Sequence, residues 1–251
     1  MSGAIYMAAS GAITQQMRLE VLSNNLANVN TVGFKEDRAI FKIPETPESN
    51  KNSKQGLSED KKKITLSSLQ QFGTLTDFSQ GKLKITSNPM DLALEGKGFF
   101  CIQTPGGVQY TRNGNFTLNS SGNLVTEEGY AVLSDSGEIT INSDNFTVDL
   151  EGKISVDGND IATLKIVDFP SPYNLKKAGN TSFIPANSDI KEIKAEGIKV
   201  NQGANEMSNI SAIKLMTEMI EVQRAFESYQ KVIQSIDTVT SQAVNEVGKL
   251  A

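Results

Sequence analysis

The chain has 251 residues, of which 38% are hydrophobic and 21% charged, and its formal net charge is −5. This length allows one large domain or two smaller ones, and the acidic balance argues against broad binding to nucleic acid or anionic membranes. The absence of histidine removes the usual general base and most zinc sites, so no metal and no cofactor is expected.

The first predicted element is a long N-terminal helix. Residues 1–34 contain no proline, and their apolar residues recur in two sets with a spacing of seven. The first set is Ile5, Ala12, Leu19 and Leu26, and the second, three residues later, is Ala8, Gln15, Leu22 and Val29. The segment lacks the basic start and the long apolar core of a secretory signal, so no cleaved signal peptide is expected.

Gly33 predicts the end of this helix, because glycine readily adopts the left-handed conformation that closes many helices. With Gly33 just beyond the last turn, Val29 and Phe34 should touch in a Schellman motif. The helix is therefore predicted to end near Val32.

Asparagines crowd the last part of the same helix, in the stretch LSNNLANVNTVGFK (22–35). Asparagine is a poor helix former because its amide competes for backbone hydrogen bonds. On the heptad pattern Asn24, Asn25 and Asn28 lie away from the apolar stripe. They face water if the helix is alone, or other polypeptide if it belongs to a packed layer, since an amide costs far less to bury than a charge.

The centre of the chain predicts a linker followed by a β domain. Residues 42–63 hold two prolines and many lysines and serines, which indicates an exposed linker. From 64 to 204 the apolar period changes to two and turn sequences are frequent, which predicts mainly antiparallel strands. The lone Cys101, in the apolar run GFFCIQ, is expected to be buried and unreactive. Residues 115–129 resemble residues 145–158, so one hairpin unit is expected twice.

A second long helix is predicted from residue 205 to residue 251. Its first apolar set is Leu215, Val222, Tyr229, Ile236, Ala243 and Leu250, and its second is Met219, Phe226, Ile233, Thr240 and Val247. A 3.5-residue period over this length predicts a left-handed coiled coil. We therefore expect an α+β fold, in which the N- and C-terminal helices pair as a coiled coil next to a central, mainly antiparallel β domain. The alternative is a long helix that lies on its own β domain.

The predicted domain boundaries follow from these elements. Residues 1–41 form the N-terminal helix and the start of the chain crossing, and with 205–251 they make an inner helical domain. Residues 42–63 are the linker and residues 64–204 the central β domain. Some apolar residues lie outside both stripes: Ile13, Met17, Ile213, Met216, Ile220, Val232 and Val239. Other copies of the chain, or relatives of it, are expected to cover them.

Four stretches together resemble one family, the axial proteins of the bacterial flagellar rod and hook. They are LSNNLANVNTVGFK (22–35), TSNPMDLALEGKGFF (86–100), YTRNGNFTLNSSGNLVTEEGYAVL (110–133) and SNISAIKLMTEMIEVQRAFESYQKVIQSID (208–237), in the order that the family keeps. Within the family, the chain length and residues 163–185 are most similar to the proximal rod protein. The alternative is a distal rod or hook-type axial protein.

The resemblance implies a structural subunit that polymerises helically through its terminal helices into a torque-transmitting tube. It implies copies of the chain, other rod subunits and the flagellar export apparatus as partners, with no nucleic acid and no small-molecule substrate. It places the protein in the basal-body rod, which crosses the periplasmic space. In such a tube the asparagine face meets neighbouring subunits. The expected subunit-interface residues are Leu19, Leu22, Asn24, Asn25, Leu26, Asn28, Val29, Leu215, Met219, Val222, Phe226, Tyr229, Ile233 and Ile236.

Two other functional classes were weighed against this one. An enzyme is disfavoured, because the carboxylates of the sequences DGND (157–160) and DSGE (135–138) lie in turns, where Asp and Asn occur for backbone reasons; no catalytic residue is assigned. A coiled-coil adaptor or an adhesin with a β-domain head is the remaining alternative. Finite oligomers in solution would favour the adaptor, and open-ended filaments would favour the rod subunit.

Overall fold

A computed structural model of the chain describes residues 2–42, 71–143, 146–187 and 189–248. Within these ranges the structure has a helix at each end and nineteen strands between them. The helices are α1 (Ser2–Ala27) and α2 (Ala212–Gly248). The strands are β1 (Asp37–Lys42), β2 (Gln71–Thr76), β3 (Leu83–Ile85), β4 (Leu92–Glu95), β5 (Phe99–Thr104), β6 (Gly107–Thr111), β7 (Phe116–Leu118), β8 (Leu124–Thr126), β9 (Ala131–Ser134), β10 (Gly137–Glu138), β11 (Phe146–Val148), β12 (Lys153–Val156), β13 (Asn159–Thr163), β14 (Ile166–Asp168), β15 (Leu175–Lys177), β16 (Ser182–Pro185), β17 (Ile193–Lys194), β18 (Lys199–Gln202) and β19 (Ala204–Glu206). Of the predicted linker, residues 43–63 lie outside the described ranges, and Lys42 ends β1.

The strand pairs in the described residues are antiparallel, as the alternating pattern predicted. The largest sheet has ten strands and the central order β15-β16-β6-β5-β9-β8-β7, with β10 on β9, β14 on β5 and β17 on β14. Smaller sheets are β11-β12-β13, β18-β4, β19-β3 and β1-β2. The expected mainly antiparallel β domain is therefore confirmed.

Strand β5 explains why the run GFFCIQ is apolar at successive positions. Successive side chains of a strand point to opposite faces, and here both faces are covered. Phe100 and Ile102 pack in a large, mostly aliphatic core, whereas Phe99 and Cys101 pack in a smaller, mostly aromatic core with Phe183. A strand that is buried on both sides has no polar face to show in its sequence.

The chain divides into two compact units. One comprises Met1–Ser23, Asp37–Asp77 and Glu218–Ala251, and the other comprises Asn24–Glu36 and Phe78–Thr217. Both cores described above belong to the second unit.

The first unit contains a two-stranded hairpin that the sequence did not reveal. Strands β1 and β2 pair so that Phe41 lies opposite Phe72, with their ring centroids 5.6 Å apart. At the open end, Thr76 Oγ1 donates to Asp37 Oδ1 at 2.7 Å. The pairing was missed because β1 was assigned to the chain crossing and β2 lies beyond the predicted linker.

The predicted repeat is confirmed as two hairpins with the same turn. In the first, the Asn119 side-chain oxygen accepts the backbone N–H groups of Ser121 and Asn123, both at 2.9 Å. In the second, Asp149 Oδ1 accepts those of Glu151 at 2.9 Å and Lys153 at 2.8 Å. A short polar side chain that mimics a backbone acceptor fixes each turn.

Helix α1 ends at Ala27 and not near Val32. The asparagines end it: Asn28 Nδ2 donates to the backbone oxygen of Asn24 at 2.8 Å, and Thr31 Oγ1 donates to Asn28 Oδ1 at 3.2 Å. These local bonds compete with helix continuation. Gly33 is left-handed as predicted, with φ +70°.

The predicted Schellman motif at Gly33 is wrong. Its N–H donates to the backbone oxygen of Glu206 at 2.7 Å and not to a helix carbonyl.

The predicted coiled-coil pairing of the N- and C-terminal helices is also wrong. Buried apolar stripe residues are few: Ala8, Ala12 and Leu22 in α1, and Leu215 and Val222 in α2. Others remain open, such as Ile5 and Ala243. A coiled coil requires each stripe residue to fill a hole between four residues of the partner helix, and a heptad spacing only marks an apolar face without specifying what covers it.

Helices α1 and α2 lie close to each other at Gly11. A Cβ atom added to Gly11 would lie 2.4 Å from Cε1 of Tyr229. The missing side chain of glycine therefore makes room for an aromatic ring.

None of the helices in the described ranges is long and apolar enough to cross a membrane.

Candidate assembly surfaces and a buried ionic junction

The predicted interface residues differ widely in their exposure within the single chain. Five are buried: Leu22, Asn25, Asn28, Leu215 and Val222. Eight are half-buried: Leu19, Leu26, Val29, Met219, Phe226, Tyr229, Ile233 and Ile236. Asn24 is exposed. The chain itself thus covers two of the three asparagines, while their contact with other subunits stays a prediction.

Apolar side chains outside the heptad stripes are far more exposed. On α2 they are Ile213, Met216, Ile220, Val232 and Val239, and on α1 they are Tyr6, Met7 and Ile13. Ile213, Met216 and Ile220 follow one another by three and four residues, so they form one continuous face. Ile213 is 82% exposed. Large apolar patches on a soluble surface mark interaction sites, so these faces are the candidate assembly surfaces.

A buried cluster of three charged side chains lies in the second unit; we call Lys35, Arg112 and Glu206 the ionic junction. Their exposed fractions are 1%, 4% and 0%. Lys35 Nζ lies 2.6 Å from Glu206 Oε1, and Arg112 Nη1 lies 3.1 Å from Glu206 Oε2. One carboxylate is therefore shared by two cations.

Further hydrogen bonds complete the ionic junction. Lys35 Nζ also donates to the backbone oxygen of Ser79 at 2.7 Å, and the N–H of Gly81 donates to Glu206 Oε1 at 2.8 Å. Arg112 Nη2 donates to the backbone oxygen of Gly96 at 2.6 Å. Buried charges are tolerated when they are paired and hydrogen-bonded in this way.

The amino-acid sequence carries no local sign of the ionic junction, for a physical reason. Lys35 and Glu206 are 171 positions apart, and Arg112 is separated from Glu206 by 94. No local period or motif relates charges at such distances. Arg112 and Glu206 lie in polar stretches that are typical of exposed turns, so neither draws attention by itself.

A second polar cluster surrounds Glu192. Its carboxylate accepts the Tyr110 hydroxyl at 2.6 Å and pairs with Lys165 Nζ at 2.8 Å. Burial alone would raise the pKa of Glu192, but the bonds from Lys165 and Tyr110 outweigh it and hold that pKa below its usual value. Burial, with the bond to Glu192, raises the pKa of Tyr110. Cys101 is buried, as predicted, and burial raises the pKa of its thiol from 9.0 to about 12, which favours the protonated form.

Neither polar cluster has the ligand set of a metal centre. Among the residues that the structure describes, no group of three or more Cys, Asp or Glu side chains is placed to hold a metal ion. A groove of about 620 Å³ passes between Asp135, Lys165 and Glu192. The last two of these charges already neutralise each other.

An antiparallel β domain whose chain ends in two helices with exposed apolar faces is suited to a subunit that assembles with other subunits. Comparisons with known proteins agree with this class. Three family models match the chain: "Flagella basal body rod protein" over residues 5–35, "Flagellar hook protein FlgE/F/G D1 domain" over 93–156 and "Flagellar basal body rod FlgEFG protein C-terminal" over 201–246.

Similar proteins match over nearly their whole length. The chain is 34% identical to the flagellar hook-basal body complex protein FlhO of Bacillus subtilis, with 98% of each covered. It is 34% identical to the flagellar basal-body rod protein FlgG of the same organism, over 96% of this chain and 97% of FlgG. It is 31% identical to the flagellar basal-body rod protein FlgF of Caulobacter vibrioides, with 100% of each covered. The chain belongs to the flagellar basal-body rod protein family.

The three matched stretches meet in the ionic junction. Lys35 lies in the N-terminal match, Arg112 in the D1 match and Glu206 in the C-terminal match.

Proposed function

We propose that this protein is a structural subunit of the bacterial flagellar basal-body rod, which assembles with copies of itself and with other rod subunits through its terminal helices. The exposed apolar face Ile213, Met216 and Ile220 is the observation that supports this most directly. A subunit that is stable only in an assembly leaves such a face open until a neighbour covers it.

Assembly in this proposal is helical, and the resulting tube transmits torque. The position along the rod is proposed to be proximal, on the resemblance of residues 163–185. The alternative is a distal rod or hook-type axial protein of the same family. The family membership favours the rod subunit over an adhesin or an adaptor.

The finer features of the proposal concern transport and chemistry. The rod crosses the periplasmic space, and we propose that the flagellar export apparatus delivers the subunit; export without a cleaved signal peptide stays a prediction from sequence. We propose no catalysis, no nucleic-acid binding and no small-molecule substrate. The carboxylates of the turn sequences have structural partners: Asp160, for example, accepts the Ser155 hydroxyl at 2.6 Å and pairs with Lys153.

The substitution Ile220→Asp tests the proposal. It places a charge on the exposed face, where it costs little in the single chain but becomes unpaired once a neighbour buries it, at a cost of several kcal/mol. We expect the β domain to melt as in the parent protein, while incorporation into rods and swimming in soft agar are lost.

The matched control is Gln230→Asp, which adds the same charge at another exposed position of α2. This variant should assemble and support swimming. Normal rods and normal swimming with Ile220→Asp would show that this face is not a subunit contact.

A further inference from the structure

The ionic junction is not explained by subunit contacts, because its three side chains are buried within the single chain. Burying ions is costly, and replacing a buried ion pair by apolar groups of similar size is often neutral or stabilising. Stability alone therefore does not account for the ionic junction. Charged hydrogen bonds differ from apolar contacts in being directional, so the question is which parts of the chain they align.

Glu206 binds chain segments on either side of it through different atoms. Its backbone oxygen accepts the N–H of Gly33 at 2.7 Å. Its carboxylate accepts Lys35 Nζ, the Gly81 N–H and Arg112 Nη1. Glu206, at the end of β19, thus connects three parts of the chain. They are the segment that follows α1, the segment that follows β2 and the residue that follows β6.

A second layer of bonds holds the same segments. Asn209 Oδ1 accepts the N–H of Glu36 at 2.8 Å, and Asn209 Nδ2 donates to Ser79 Oγ at 3.1 Å. Lys177 Nζ donates to the backbone oxygen of Lys35 at 2.8 Å and lies 3.9 Å from the centre of the Phe34 ring. Residues 28–36 and 204–209 are therefore aligned side by side by bonds that need specific atoms.

We infer that the ionic junction is a preformed clasp, which orders residues 28–36 and 204–209 in the unassembled subunit and makes Glu206 a positioning residue for assembly. The first segment begins directly after α1, and the second ends at residue 209, shortly before α2 begins at Ala212. The clasp orders the chain just after α1 and just before α2 before any neighbour is present. The assembly part of this inference rests on the proposed function; the ordering in the monomer does not.

Amide hydrogen exchange on the full-length monomer tests the clasp. In the parent protein the N–H groups of Gly33 and Gly81 should be protected. Glu206→Gln keeps the shape of the side chain but removes its negative charge. One of the two cations then faces a weaker amide oxygen, and the other faces an N–H₂ group that cannot accept its hydrogen bond. Because hydrogen bonds to charged groups are stronger than neutral ones, protection at Gly33 and Gly81 should fall by roughly tenfold or more. The two buried cations are left without a carboxylate, so the whole unit also loses stability; protection of sheet amides such as Cys101 and Val132 should nevertheless fall less than protection at Gly33 and Gly81.

Two further variants accompany this experiment. Asp160→Asn neutralises the exposed pair with Lys153 and is expected to leave protection at Gly33 and Gly81 unchanged. Lys35→Met removes the ammonium and keeps most of the apolar stem; it should reproduce the local loss, and it serves if Glu206→Gln does not fold. In rods, Glu206→Gln should incorporate less than Asp160→Asn, although both keep the exposed face of α2.

Several results would overturn the inference. Free exchange at Gly33 and Gly81 in the parent monomer would show that the clasp is not preformed. Unchanged protection in both Glu206→Gln and Lys35→Met would show that the charged hydrogen bonds do not order residues 28–36 and 204–209. An equal fall across the sheet would reveal a general stabilising role, and normal incorporation despite a local loss would remove the link to assembly. Failure of the proposed function appears separately, as normal rods with Ile220→Asp.

Discussion

Gly33 brings the chain after α1 into direct contact with the backbone of another strand end. A Cβ atom at this position would lie 2.3 Å from the backbone nitrogen of Asn113 and 2.5 Å from the carbonyl carbon of Arg112. Its positive φ also disfavours any other residue. The sequence was sufficient to predict the conformation of Gly33, since only glycine adopts it freely. It was not sufficient to predict that the N–H reaches Glu206, because that partner is distant in the chain.

Gly33→Ala is therefore expected to destabilise the protein strongly. Gly158 provides the control, because its φ of +80° is similar but no atom lies within 4 Å of an added Cβ. Gly158→Ala should cost about 1–2 kcal/mol from backbone strain alone. Gly33→Ala should reach the range above roughly 4 kcal/mol, since backbone atoms must shift. Urea unfolding followed by circular dichroism measures both, and equal losses would show that close approach at Gly33 is unimportant.

The elements of this fold were predicted with different success. Heptad spacing located both terminal helices, and alternation located the β domain, because these periods arise from local backbone geometry. The coiled-coil prediction was wrong because an apolar stripe on a helix can be covered by several kinds of surface. The pairing of β1 with β2 was not predicted, because the two strands are separated by residues 43–70 and strand pairing across such a gap has no local signal.

The repeated turn offers a prediction at the scale of the element. Asn119 and Asp149 use one side-chain oxygen to accept two backbone N–H groups. Asn119→Asp and Asp149→Asn keep that oxygen and should be nearly neutral. Asn119→Ala and Asp149→Ala leave these exposed donors to water and should each cost about 0.5–1.5 kcal/mol, measured by urea unfolding. Equal stability of the alanine and the conservative variants would contradict this account of the turns.

At the scale of the whole molecule, stability is expected to be uneven. Both cores lie in the unit that comprises Asn24–Glu36 and Phe78–Thr217, whereas α1 and α2 expose several large apolar side chains. Long helices gain most of their stability from packing and little from propensity. Ordering the backbone costs about 1–2 kcal/mol per residue, and contacts with neighbouring subunits are the remaining source of compensation.

We therefore expect the terminal helices to fold on assembly. In a dilute monomer, amides of residues 3–23 and 218–243 should exchange rapidly, while those of β5, β6 and β9 stay protected. Protection of the helices should rise with concentration in the parent protein but not in Ile220→Asp, which lacks a usable face. If both helices are protected in a dilute monomer, they fold without neighbours and this expectation is wrong.

The distance along the chain between Lys35 and Glu206, 171 positions, has a consequence for the order of synthesis. The ribosome makes Lys35 early and Glu206 only after it has made strands β1 to β18. Until then the Lys35 ammonium has no carboxylate to bury against, so the clasp closes after the sheet has brought the two ends of the chain together. A polypeptide that stops before residue 206 contains most of the sheet but cannot pair the Lys35 ammonium with Glu206. The ion pair thus distinguishes a chain that includes residue 206 from one that stops before it.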